Sequence, residues 1–75
     1  MSDVQLVILF PTSAHVMRAE KLLKRADIRC KLIPVPRHLS SDCGSCLLID
    51  ADADEAALKV LDKGRVEFDK VQAYD

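Results

Sequence analysis

The chain has no tryptophan, only two glycines and no long hydrophobic run. Its longest strongly apolar stretch, residues 6–10, is far too short to span a bilayer. Ser2 and Asp3 stand where a signal peptide would carry positive charge. We therefore expect no membrane partner and a cytoplasmic location.

A large charge of either sign is also missing, because 11 Lys and Arg residues oppose 12 Asp and Glu residues. This balance argues against a general polyanion binder. Aromatic side chains for base stacking are scarce, since both phenylalanines are expected in the core and only Tyr74 remains. The sequence therefore predicts no nucleic-acid partner.

A length of 75 residues allows one domain, spanning 1–75, with one core. A chain of this size buries only about 60% of the surface that its unfolded form exposes, which leaves no room for a deep catalytic cleft. Three cysteines in a reducing compartment form no disulfide framework, and the odd number leaves at least one free thiol.

Hydrophobic patterning predicts elements in the order β-α-β-β-α-β. The predicted strands are 4–10, 28–32, 46–49 and 66–68, the last extended by Val71 and Tyr74. The first helix covers 14–26, and either Thr12 or Ser13 can cap it. The second helix begins at a capping Asp52 or Asp54 and ends at Gly64 in a left-handed turn.

The two fully apolar strands, the first and the third, belong in the middle of the sheet. With right-handed crossovers, the simplest closure is an α+β two-layer sandwich with ferredoxin-like β-α-β-β-α-β topology. It has a four-stranded antiparallel sheet of order 4-1-3-2 and two helices on one face. Val7 and Leu9 then lie on the other face, where an open apolar patch would suit a homo-oligomer.

The predicted topology also sorts the loops and the charges. Strands one and two run parallel, so residues 11–15 and 37–43 meet at one end of the sheet, and the acidic segment 50–55 lies at the other end. Residues 1–49 hold seven Lys or Arg against four Asp or Glu, and residues 50–75 hold four against eight. The loop end is therefore expected to be the basic one.

Cys43 is the best candidate for a reactive thiol, because it lies in the loop next to Gly44. A thiolate at neutral pH needs positive potential, which the N-terminus of the first helix, Arg37, His38 or His15 can supply. Gly44 would let an incoming group approach the backbone. The alternative is a turn cysteine without a role.

Cys46 completes a Cys-x-x-Cys spacing, which suggests a redox dithiol or half of a metal site. The pair leads into a strand, whereas a thioredoxin-like pair opens a helix. A zinc site needs about four ligands, and beyond the pair only His15, His38 and Cys30 are on offer, so we expect no metal. Cys46 can equally be a small apolar residue at a strand start.

Four segments in consistent order resemble the putative selenium/sulfur carrier protein-like family: FPTSA (10–14), AEKLL (19–23), KLIPVPR (31–37) and SSDCG (40–44). The resemblance implies a thiol carrier that holds sulfur or selenium covalently as a persulfide-type adduct. Such a protein needs donor and acceptor proteins but no cofactor, and it is a carrier more than a stand-alone enzyme.

Carried over by position, the resemblance makes Cys43 the carrier thiol and Gly44 its neighbour. It makes Thr12 and Arg37 the facing loop residues. Their neighbours Ser13 and His38 complete our list of candidate binding residues. Cys46 lies just beyond the Cys-Gly pair, which leaves open whether it resolves the adduct as a disulfide. A dithiol redox or metal-binding module and a non-catalytic interaction domain remain the alternatives.

Overall fold

Four strands and two helices follow one another in the computed structural model, which describes residues 4–36 and 44–74. The strands are β1 (Gln5–Leu9), β2 (Cys30–Pro34), β3 (Ser45–Asp50) and β4 (Lys70–Ala73). The helices are α1 (Ser13–Arg25) and α2 (Asp54–Lys63), with a short 3-10 turn at Ala51–Ala53. The predicted element order is confirmed. Neither helix is long and apolar enough to cross a membrane within these ranges.

The strands form one antiparallel sheet in the order β2-β3-β1-β4. Read from the other edge, this order runs 4-1-3-2. The central strands are β1 and β3, the two most apolar segments, and β2 and β4 are the edges. Because β1 and β2 both run antiparallel to β3, they are parallel to each other.

Both helices pack against the same face of the sheet. Side chains alternate along each strand, so Ile8, Leu47 and Ile49 point to this face. They form one buried cluster with residues from both helices: Val16, Ala19 and Leu23 of α1 and Ala57 and Leu61 of α2. The described residues therefore make a two-layer α+β domain.

The face away from the helices is not the open patch that the sequence predicted. Val7 and Leu9 do lie on that face, but both are 0% exposed. They form a second buried cluster with Cys46, and Ile33, Val35 and Leu48 pack against it. The expected exposure is wrong because neighbouring strands supply apolar side chains that surround these two residues.

Both helices end in the same way, in a Schellman motif that closes on a buried or half-buried apolar residue. In α1, Ile28 N–H donates to Leu23 O at 2.9 Å and Asp27 adopts a φ of 61°. In α2, Val66 N–H donates to Leu61 O at 2.9 Å and Arg65 adopts a φ of 56°.

The sequence placed the end of α2 one residue too early. The left-handed residue is Arg65, whereas Gly64 has a φ of −82°. Gly64 is instead a point of close approach between the helices, since a Cβ there would overlap Leu22 Cδ1. The predicted caps of α2 are also wrong, because its N-cap is Ala53, which makes no side-chain hydrogen bond, and Asp54 is already helical.

The last strand begins later than predicted. Val66 belongs to the helix-terminating motif of α2, and Phe68 precedes β4 and is 38% exposed. Phe10 is fully buried as expected. Val66 and Phe68 alternate with acidic residues in the pattern typical of a strand. Val66 is buried, however, because it is the apolar residue on which the C-terminal motif of α2 closes.

The register confirms which ends of the strands lie together. Leu9 of β1, Cys46 of β3 and Ile33 of β2 are aligned across the sheet. At the other end, Gln5 pairs with Asp50, the first residue of the acidic segment. Residues 11–15 and the described residues on either side of 37–43 therefore lie at one end, and residues 50–55 lie at the other.

We expect Asp27→Gly to stabilise the fold by about 1 kcal/mol, because it removes the cost of a left-handed side-chain-bearing residue and a negative charge at a helix C-terminus. Urea unfolding would measure the change. Asp27→Asn is the matched control, since it removes the charge alone and should gain only part of the effect. An unchanged or lower stability of Asp27→Gly would contradict this account.

Candidate functional site

The predicted site is only partly within the described residues. Arg37, His38 and Cys43 lie outside them. Thr12, Ser13, Gly44 and Cys46 lie within them. The described part of the site therefore consists of the start of α1, the end of β2 and the start of β3.

These elements bring the N-terminus of α1 and the residues that flank 37–43 to one end of the sheet. Pro36 and Gly44, which flank residues 37–43, lie just beyond Ile33 and Cys46 in their strands. Val35 N–H donates to Gly44 O at 3.2 Å, which continues the β2–β3 pairing past the strands. Thr12 follows β1, and the parallel strands β1 and β2 are two strand spacings, or about 10 Å, apart.

Thr12 is the N-cap of α1, as the sequence predicted. Its backbone is extended, with φ −143° and ψ 161°, and its Oγ1 accepts a hydrogen bond from His15 N–H at 3.3 Å. The same Oγ1 lies 2.6 Å from His15 Nδ1, so the imidazole ring is held against the cap. Ser13 is exposed as the first residue of the helix.

The first turn of α1 carries no acidic residue. The partial positive charge of its N-terminus is therefore not compensated by an acid of that turn, and it favours an anion nearby. This is the electrostatic setting that a thiolate at this end of the sheet needs.

Gly44 is exposed, and a Cβ built on it would meet nothing within 4 Å. Its φ is not positive. Neither packing nor backbone conformation within the described chain requires glycine at this position. The expectation that Gly44 lets an incoming group approach the backbone stays a prediction.

Cys46 is fully buried on the sheet face away from the helices, where it contacts the cluster of Val7 and Leu9. Its Sγ lies 4.0 Å from Pro34 O. In this setting it packs as a small apolar side chain. Its role as a resolving thiol stays a prediction.

Cys30 occupies the opposite end of the sheet, paired with Ile49 next to the acidic segment. The thiol is partly buried against the helix-side core. Burial raises the pKa of Cys30 above its ordinary value, the negative charge of Glu20 raises it further, and Lys24 opposes this rise. An activated thiol has a lowered pKa, so Cys30, whose pKa is raised, is not one.

A family model described as "Putative Se/S carrier protein-like" matches residues 5–72. The chain belongs to this family. The match runs from the start of β1 through both helices and into β4, so it includes the second half of the chain, where the sequence motifs show little of the resemblance. No curated protein and no solved structure matches the chain.

This Se/S carrier-like chain also holds features that sequence reasoning missed. Arg18 Nη2 donates to Gly64 O at 3.3 Å, which links α1 to the end of α2. Arg18 and Arg65, 47 positions apart in the chain, line the same small hollow beside His15. The positions of Arg18 and Arg65 in the sequence do not predict that the two side chains lie close together. Within 4–36 and 44–74 no three His, Cys, Asp or Glu side chains are grouped to hold a metal ion.

Thr12→Ala should destabilise the protein by about 1 kcal/mol, because His15 N–H loses its side-chain acceptor. The free energy of unfolding in urea is the measurement. Thr12→Ser keeps the hydroxyl and should stay within a few tenths of a kcal/mol of the wild type. Equal losses in both variants would show that the methyl group, and not the cap, is what matters.

Alkylation by iodoacetamide should be slower at Cys30 than at a free cysteine throughout pH 7 to 9, since its raised pKa leaves less thiolate. Glu20→Gln removes the charge that raises this pKa and should speed the reaction. Lys24→Gln removes the opposing charge and should slow it. Peptide mass spectrometry of the Cys30 fragment gives the rates, and a rate unaffected by either substitution would refute the assigned causes.

Proposed function

We propose that the protein carries sulfur or selenium on Cys43 as a persulfide-type adduct and delivers it to an acceptor protein. The observation that carries this proposal is that both described thiols lie in settings that disfavour reaction. Cys30 is held neutral by a raised pKa, and Cys46 is fully buried. Cys43 is the remaining thiol, in a chain that belongs to a Se/S carrier-like family.

The loading step is a thiol-persulfide exchange. The Cys43 thiolate attacks the outer sulfur of a persulfide on the donor protein and forms a new S–S bond. The donor's own S–S bond breaks, and its electron pair leaves with the donor cysteine as a thiolate. The sulfane sulfur keeps its oxidation state, so no external oxidant or reductant is needed. Selenium moves in the same way from a donor that holds it on sulfur.

The terminal anion of the adduct is stabilised by the N-terminus of α1, whose first turn lacks an acid. Arg37 and its neighbour in sequence, His38, add positive charge to this end in the same proposal. The reducing cytoplasm is the compartment in which such an unpaired thiol persists. Cargo is held covalently, so the carrier needs no cofactor and no deep pocket.

The ferredoxin-like topology is part of this proposal. Both β-α-β units, β1-α1-β2 and β3-α2-β4, join parallel strands that lie two positions apart. Such crossovers are right-handed in about 98% of cases. Right-handed connections with both helices on one face give the ferredoxin-like arrangement.

Intact-mass analysis of single-cysteine variants tests the assignment. After incubation with inorganic polysulfide, the wild type should gain the mass of sulfur in a form that a reductant such as dithiothreitol removes. Cys43→Ser should gain none. Cys30→Ser and Cys46→Ala are the matched controls and should load as the wild type does.

Two results would sink the carrier proposal. One is loading that persists in Cys43→Ser and disappears in Cys30→Ser or Cys46→Ala. The other is a reversible internal disulfide in place of the adduct, lost in both Cys43→Ser and Cys46→Ala, which would make the protein a dithiol redox module.

A further inference from the structure

The outer face of α1 carries a continuous basic surface that the proposed thiol chemistry does not use. We define the basic α1 surface by His15, Met17, Arg18, Lys21 and Arg65. Arg18 lines one hollow of about 150 Å³ with His15 and Arg65, and a second of about 350 Å³ with Met17 and Lys21. Because Arg18 belongs to both, the two hollows form a single surface.

Cations dominate this surface. Arg18, Lys21 and Arg65 are all exposed. Of the described residues that line the two hollows, Glu20 is the acid, and its Oε2 lies 3.7 Å from Lys24 Nζ. Asp62 and Glu67 line a different hollow with Arg65 and mark where the basic surface ends. An acidic partner would therefore meet an excess of positive charge.

Arg18 is the positioned cation of the surface. Its guanidinium donates one hydrogen bond to Gly64 O, at the junction of α1 and α2. A guanidinium has five N–H donors in a fixed planar fork, so donors remain for a carboxylate in the hollow beside Arg65.

Met17 supplies the apolar contact, since it is 65% exposed in the middle of this charged surface. An unbranched thioether adapts its shape to different neighbours, which makes methionine common at binding surfaces. Exposed basic side chains around an adaptable apolar centre suit a protein partner better than a small ion.

We propose, resting on the carrier function above, that the basic α1 surface docks an acidic patch of the protein that donates the persulfide. The surface begins within the first turn of α1, at the same end of the sheet as Pro36 and Gly44. The acidic segment 50–55 lies at the other end. A partner docked on the basic α1 surface therefore lies beside the end of the sheet that holds Pro36 and Gly44 and away from the acidic segment.

Transfer kinetics from two donors separate docking from thiol chemistry. The protein donor is a cysteine desulfurase loaded with persulfide by L-cysteine, and the small donor is inorganic polysulfide. Lys21→Glu and Arg65→Glu should each slow transfer from the desulfurase about tenfold at low salt, with a weaker salt dependence than the wild type. Loading by polysulfide should stay within twofold of the wild-type rate.

Lys31→Glu is the matched control, because Lys31 is exposed and lies opposite Leu48 on the sheet face away from the helices. It makes the same change of charge and should leave both rates within twofold. Circular dichroism is the measurement that checks whether each variant is folded.

Docking at this surface is overturned if Lys21→Glu and Arg65→Glu accept sulfur from the desulfurase at the wild-type rate, or if Lys31→Glu slows transfer equally. It is also overturned if the wild type loads from polysulfide but not from the desulfurase. Binding of a DNA duplex that Lys21→Glu abolishes, with transfer unchanged, would assign the surface to nucleic acid. Failure of polysulfide to load the wild type would instead overturn the carrier function, and this inference with it.

Discussion

The burial of β1 on both faces is the constraint on which the rest of the structure depends. Ile8 points to the helices, whereas Val7 and Leu9 point to the opposite face, and all three are 0% exposed. Each such side chain contributes about 1.5–3 kcal/mol when it is removed from water. Because β1 also pairs with β3 and β4 along its two edges, it has a fixed neighbour in every direction.

The position of β1 sets the position of the site. The strand ends at Leu9, Phe10 enters the core, and Thr12 caps α1 within three residues. The N-terminus of α1 is thereby held at one end of the sheet. The same register places Pro36 and Gly44, the described residues that flank 37–43, at that end.

The two described cysteines, Cys30 and Cys46, both lie in environments that suit a packing role. Cys46 fills the cluster around Val7 and Leu9, and Cys30 packs at the edge of the helix-side core. Burial favours the neutral form of a thiol and restricts the access of reaction partners, fully at Cys46 and in part at Cys30. In the proposed carrier function, two unreactive thiols would leave Cys43 as the thiol that takes up the cargo. Docking on the basic α1 surface, as proposed, would add a means of choosing the partner.

Local sequence determined the elements because their signals are local. The apolar run of β1, the Thr12 cap and the helical spacing of Val16, Ala19 and Leu23 act within a few residues of each other. The central position of the two most apolar strands followed from them, and with it the meeting of residues 11–15 with the ends of β2 and β3.

The errors occurred where a local pattern had two structural meanings. Val66 and Phe68 alternate as a strand would, yet Val66 closes α2 and Phe68 is exposed. Gly64 is typical of a left-handed turn, yet its place is set by the approach of Leu22 from α1, and Arg65 takes the left-handed conformation. Alternation predicted the face on which Val7 and Leu9 lie but not their burial.

By itself the sequence determined the order of the elements, the strand positions in the sheet and the candidate thiol with its flanking residues. Only the tertiary structure decided which thiols are buried, that Arg18 and Arg65 share a hollow, and where α2 gives way to β4. The physical reason is that burial and charge proximity arise between segments distant in the chain, and no spacing within one segment encodes them.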